Sequence, residues 1–148
     1  MEVKEKEKLS TEEQSNIMKA VYKTLKSYEK IKELYFEANN VNGASVGLFS
    51  KQGAVYLSKN ILGGFKGLVP FVVRYKSSPK TDNARLEMIQ YLNDLSTWLV
   101  EQKNSIELTN NRIVEKIEQN EITFLEIVSK DGSLTYTATF EMRYRKDE

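Results

Sequence analysis

The chain contains no histidine, no cysteine and only two prolines in 148 residues. Each absence removes a class of chemistry. Without imidazole or thiolate there is no Ser-His or Cys-His nucleophile pair and no soft-ligand zinc site. Catalysis would have to rest on carboxylates, Lys, Tyr or an oxygen-ligated metal. Lack of cysteine also fits a reducing cytoplasm. A domain near this length buries roughly 70% of the surface its unfolded chain exposes, so packing alone can hold it. Long hydrophobic runs are missing as well. The uncharged stretch 67–73 is far short of the roughly 20 residues that span a bilayer, so no membrane partner is expected. Residues 1–8 alternate Lys and Glu without an apolar segment, so no signal peptide is expected there. No Asn-X-Ser/Thr acceptor for N-glycosylation occurs.

Charge of one sign is absent from a third feature, the window 38–81. It carries Lys51, Lys59, Lys66, Arg74, Lys76 and Lys80 and no acid, whereas the remainder of the chain downstream is acidic, so the formal net charge of +1 is a cancellation. One reading is a Lys-decorated sheet edge that discourages unwanted pairing. The other is complementarity, in which the basic surface of one copy meets the acidic half of another or faces a polyanion such as DNA. No aromatic-interleaved nucleic-acid motif accompanies these cations.

What is present is a succession of regular patterns. Ser10-Thr11-Glu12-Glu13 has the spacing of a capping box, and Ile17, Val21, Leu25 and Tyr28 follow on one helical face, predicting a helix that ends near Lys30. Glycines then punctuate short runs rich in Val, Tyr, Phe and Leu, which predicts three or four strands, near 32–38, 44–49, 53–59 and 67–76. In the last of these Val69, Phe71, Val73 and Tyr75 share a face, and Arg74 and Lys76 end the other. Thr81 or Asp82 caps a second helix, along which Ala84, Met88, Tyr91, Leu92, Leu95, Trp98 and Leu99 recur; this assigns Trp98 to core packing. Residues 122–128, Asp131-Gly132 and 134–145 read as an antiparallel hairpin, with Tyr136, Ala138, Phe140, Met142 and Tyr144 alternating against Thr and Arg. The expected fold is α+β: a mainly antiparallel sheet of about five to seven strands with two α-helices on one face, in the order α-β-β-β-α-β-β. A charged, disordered extension is expected over 1–9 and a single domain over 10–148.

Candidate sites are few. Gly63-Gly64-Phe65-Lys66-Gly67 lacks the spacing of a dinucleotide or Walker loop and reads as a hairpin turn. Glu115, Glu118 and Glu121 match no calcium loop. No pair of acids is singled out for glycosidase chemistry. No catalytic residue, cofactor or metal is therefore expected, and the chain is read as a non-enzyme.

The order of these elements carries a resemblance. An aromatic strand introduced by Val69-Pro70-Phe71 is followed by Thr81-Asp82 opening a helix with Arg85-Leu86; that helix ends in Leu92-x-x-Leu95-x-x-Trp98-Leu99. The chain closes with the Lys130-Asp131-Gly132 hairpin and Tyr136-x-x-x-Phe140-x-x-x-Tyr144. Over residues 10–146 this resembles the tail terminator proteins of long-tailed phages and prophages, often catalogued as minor capsid proteins. The resemblance implies a virion structural protein, assembled in the bacterial host cytoplasm and located at the head–tail junction of the tail. It would form a homo-oligomeric ring, a hexamer, that caps the tail tube and docks the head. Its partners would be other copies of itself, the tail tube protein and a head-completion protein, with DNA only passing through the ring lumen. Lys59, Lys66, Arg74, Lys76 and Lys80 are the expected assembly surface. Another head–tail completion or tail tube protein, or a cytoplasmic ligand-binding module, remain the alternatives.

Overall fold

The structure, a computed structural model, describes residues 6–40 and 43–148. Helix α1 spans Thr11–Lys26 and is followed by four strands, β1 (Leu34–Phe36), β2 (Ser45–Ser50), β3 (Val55–Lys59) and β4 (Phe65–Ser77). Helix α2 (Asp82–Val100) and a short 3-10 turn (Glu101–Asn104) then lead into β5 (Arg112–Val128) and β6 (Leu134–Lys146). The order is thus α-β-β-β-β-α-β-β, one strand more than the sequence order expected. One six-stranded sheet results, β1-β2-β4-β6-β5, with β3 paired to β4 beside β2. Every pairing is antiparallel except β1 with β2.

Local chemistry explains the element ends. Ser10 accepts a hydrogen bond from the Glu13 N–H at 3.1 Å, and Thr81 accepts one from Ala84 N–H at 3.1 Å, so both expected caps form. Helix α1 stops at Lys26, four residues short of expectation, because the Ser27 hydroxyl donates to the Thr24 carbonyl at 2.6 Å and closes the last turn. Tyr28 still reaches the core, packing on Trp98 with ring centroids 4.7 Å apart. Strand β1 is shorter than expected because Glu37 turns to φ 57°. In the β5–β6 turn Gly132 has φ 88°, the positive value that a tight hairpin asks of its glycine. The glycine-rich segment is a turn, with Asn60 Oδ1 accepting from the N–H groups of Leu62 and Gly64 at 3.0 and 2.9 Å.

Strand β5 begins at Arg112, ten residues before the expected 122. Polar residues and four register shifts break its alternation: a bulge between Val114 and Lys116 lets Val114 and Ile117, three apart, both enter the core. Pro70 lies inside β4 in the gap between its partners, since β3 pairs with residues 65–68 and β2 with 71–76. A missing N–H on that side of the gap removes no ladder bond.

The core lies between the helices and one face of the sheet. Ile17, Val21 and Leu25 of α1 and Leu92, Leu95 and Leu99 of α2 are buried with Val69, Phe71, Val73, Phe140, Met142 and Tyr144. Tyr144 has no exposed surface and fits because its strand partner is Gly67, where a Cβ would stand 2.6 Å from the Tyr144 ring. Of the charged stretch 1–9, residues 1–5 lie outside the described residues. Glu7 to Leu9 are ordered against β3: Tyr56 N–H donates to the Glu7 carbonyl at 2.9 Å, Leu9 N–H donates to Ala54 at 3.0 Å, and the Leu9 side chain is buried. An apolar side chain and an open strand edge together outweigh the disordering effect of the Lys/Glu composition.

Candidate assembly surface

The side of the sheet turned away from the helices holds the even-numbered residues of β4, namely Lys66, Leu68, Pro70, Val72, Arg74 and Lys76, beside the odd-numbered residues of β6. The five expected cations do not form one patch there. Lys66 and Lys76 are ten residues apart on β4, about 33 Å along the strand. Lys59 ends β3, and Lys80 precedes α2. Three are already partnered: Lys59 with Glu7 at 2.6 Å, Lys66 with Glu115 at 4.0 Å, and Arg74 with Glu126. Lys76 and Lys80 form no ion pair among the described residues. Because β6 separates β4 from β5, the sequence-separated basic and acidic segments are interleaved across this face, and Arg143 and Arg145 of β6 add cations to its lower end.

The best-built part of the open face is centred on Glu126. Arg74 donates to it from Nε at 2.9 Å and from Nη2 at 3.0 Å, and the Thr137 hydroxyl donates to the same carboxylate. The guanidinium lies over the Phe49 ring, 4.4 Å from its centroid. Gly47, next to Phe49 on this face, has no room for a side chain, since a Cβ would stand 2.4 Å from the Ala38 carbonyl oxygen and 2.6 Å from the Phe49 ring. Hydrogen bonding from Arg74, more than the opposing effect of burial, holds the Glu126 carboxyl below its ordinary range. This arch ties β4 to β5 across β6, and Thr137 beneath it is buried.

On the helix side, sequence reasoning missed a buried ion pair. Arg112, the first residue of β5, donates from Nε at 2.8 Å and from Nη2 at 2.6 Å to Glu13 of α1, and the Tyr144 hydroxyl donates to Glu13 at 3.1 Å. The bonds to Glu13 raise the Arg112 guanidinium's pKa further, while burial foremost, and then Glu13, push the Tyr144 phenol up. Nothing in the sequence marked this trio, because its members are far apart and Glu13 fits a capping role.

A second feature is the outer half of β5. Ile122, Phe124, Leu125, Ile127 and Val128 are all exposed, with Ile122 at 86% and Val128 at 69%. This stretch is the free edge of the sheet, with one charged residue in seven. Of the three acids considered as ligands, Glu115 approaches Lys66, Glu118 pairs with Lys116, and Glu121 points outward without an ion-pair partner among the described residues. Among the described residues no three acids converge on a common point, and no helix is long and apolar enough to cross a membrane. An open cleft of about 260 Å³ beside Tyr75 and Tyr91 is lined by Lys30, Lys32, Glu33 and Ser45.

No protein-family model and no curated protein matches the chain. Among solved structures, a chain of the virion of native gene transfer agent (GTA) particle shares the fold: TM-score 0.68, 14% identity, with 92% of this chain aligned to 99% of that one. The likeness is one of fold and runs nearly the full length of both chains.

Proposed function

We propose that this protein is a non-enzymatic structural component of a phage-like virion, and specifically the ring-forming tail terminator that caps the tail tube and offers a docking surface to the head. The observation that carries the reading is the near end-to-end fold likeness to a chain of a GTA virion, joined to the order of sequence motifs that led to the tail terminator family. A ring closes by contacts between two unlike patches of each subunit. The interleaved charges of the open face and the apolar free edge of β5 are unlike patches of that kind. Within the cationic set Lys59, Lys66, Arg74, Lys76 and Lys80, the last two are the ones free to meet a neighbouring subunit, a head-completion protein or DNA in the ring lumen. Tube subunits and other subunits of this chain are the remaining partners. The test is deletion of the gene followed by electron microscopy of the particles. Overlong tails without heads are expected; normal tails joined to heads would reject the reading.

A further inference from the structure

We propose that copies of this chain join edge to edge, the outer half of β5 of one copy pairing antiparallel with β1 of the next, so that the sheet continues from subunit to subunit. The inference adds a specific contact to the ring reading and rests on it only for closure of the chain of contacts into a ring.

The first argument is the state of the two edges. An edge strand with free N–H and C=O groups and apolar side chains on both faces is a template for another strand, and proteins that stay single blunt such edges with charge or proline. Residues 122–128 hold one charge, Glu126, and it is turned inward onto Arg74 and Thr137; the register shifts at 121/124 and 125/127 bend this edge, and the rung residues Phe124 and Leu125 between them keep consecutive partners on β6. At the opposite edge β1 has no strand on its outer side; its Leu34 carbonyl accepts only from the Tyr22 hydroxyl of α1, at 3.4 Å, a contact that an incoming strand would replace, and its Phe36 is 47% exposed.

Register gives the second argument. Two rungs can be followed strand by strand across the sheet. One runs Leu34, Val46, Tyr75, Tyr136, Leu125; the other runs Tyr35, Gly47, Arg74, Thr137, Phe124. The two free edges are therefore level. A copy placed alongside sets Leu34 against Leu125 on the helix side and Tyr35 against Phe124 on the open side. The half-buried Leu34 and Tyr35 each meet an exposed apolar side chain of β5 on the same face, which is how cross-strand pairs stabilise a sheet. Strand direction also agrees. β5 runs parallel to β4, while β2 and β1 both run against β4, so β5 meets a neighbour's β1 in the antiparallel sense.

Because the two edges are unlike, the contact is heterologous and repeats, as a ring requires; a β5-to-β5 contact would stop at a dimer.

The absence of cysteine makes the test direct. In the double variant Tyr35→Cys/Phe124→Cys the two thiols of adjacent copies would sit on facing residues of an antiparallel pair, at a Cα separation of about 4.5–5.5 Å that a disulfide accepts. The purified chain over a concentration series, and particles that contain it, would be oxidised and run without reductant. A ladder of covalent multimers from the double variant, with neither single variant forming one, is the expected result. A Leu125→Lys change added to the double variant should abolish the ladder while the melting curve stays that of the folded protein. Dimers from Phe124→Cys alone would show β5 meeting β5 and overturn the proposal, as would absence of any link in both settings. Overlong, headless tails in the deletion strain with no such link would leave the terminator reading in place and remove only this junction; a ladder with normal tails would do the reverse.

Discussion

The carboxylate of Glu13 receives two hydrogen bonds from Arg112 and one from Tyr144, with side-chain exposures of 10% and 13% for Glu13 and Arg112. Removing one partner of such a pair leaves an uncompensated charge with little water to solvate it, a loss of about 3–5 kcal/mol. Arg112→Met should therefore destabilise the fold by that order in urea denaturation. The double variant Glu13→Met/Arg112→Met should recover part of the loss, since two apolar side chains replace both charges while the Tyr144 hydroxyl loses its acceptor; equal loss in single and double variants would show that the pair is not the cause. Residues of this kind are where the sequence was least readable. The expected caps Ser10 and Thr81 were legible because capping is local, and Trp98 was legible because helical spacing is local. The Glu13–Arg112 contact spans 99 positions and has no local signature.

At the scale of elements, the β4–β6 ladder joins the hairpin β5–β6 to the rest of the sheet, and the Arg74–Glu126 bridge adds a side-chain tie from β4 to β5. Glu126 has a folded-state pKa below its ordinary value of 4.5. Its stabilising contribution is therefore complete above that value and is lost as pH falls through the depressed one. Melting temperatures compared between pH 7 and the acid side of the carboxylate range should show the protein losing stability. Glu126→Gln should begin lower and lose less, so that the two curves converge in acid; parallel curves would remove the bridge from the account. The elements themselves were legible wherever period and turn chemistry agreed, as in β4, α2 and the Asp131-Gly132 turn. The first half of β5 was hidden because its bulges disrupt the period of two on which a strand is recognised, and β1 was overextended because nothing local announces that Glu37 adopts a positive φ.

For the molecule as a whole, the division of charge along the chain does not become a division in space. Folding places β6 between the basic strand β4 and the acidic strand β5, pairs Arg74, Lys59 and Lys66 internally, and leaves Lys76 and Lys80 without ion pairs among the described residues. Reversing the charge at both, Lys76→Glu/Lys80→Glu, should leave the fold within about 0.5 kcal/mol of the parent, as for other surface changes. Head joining should fall nonetheless, measured as the fraction of tails attached to heads. An unchanged fraction would take these two cations out of the assembly surface.

The proposed function puts a single ring of this chain at the head-proximal end of the tail. It is tested most directly by electron microscopy of particles carrying a gold-labelled tag on this chain. The account predicts label at one point per particle, where tail meets head. Label spaced along the tube, or particles that contain none of the chain, would contradict it.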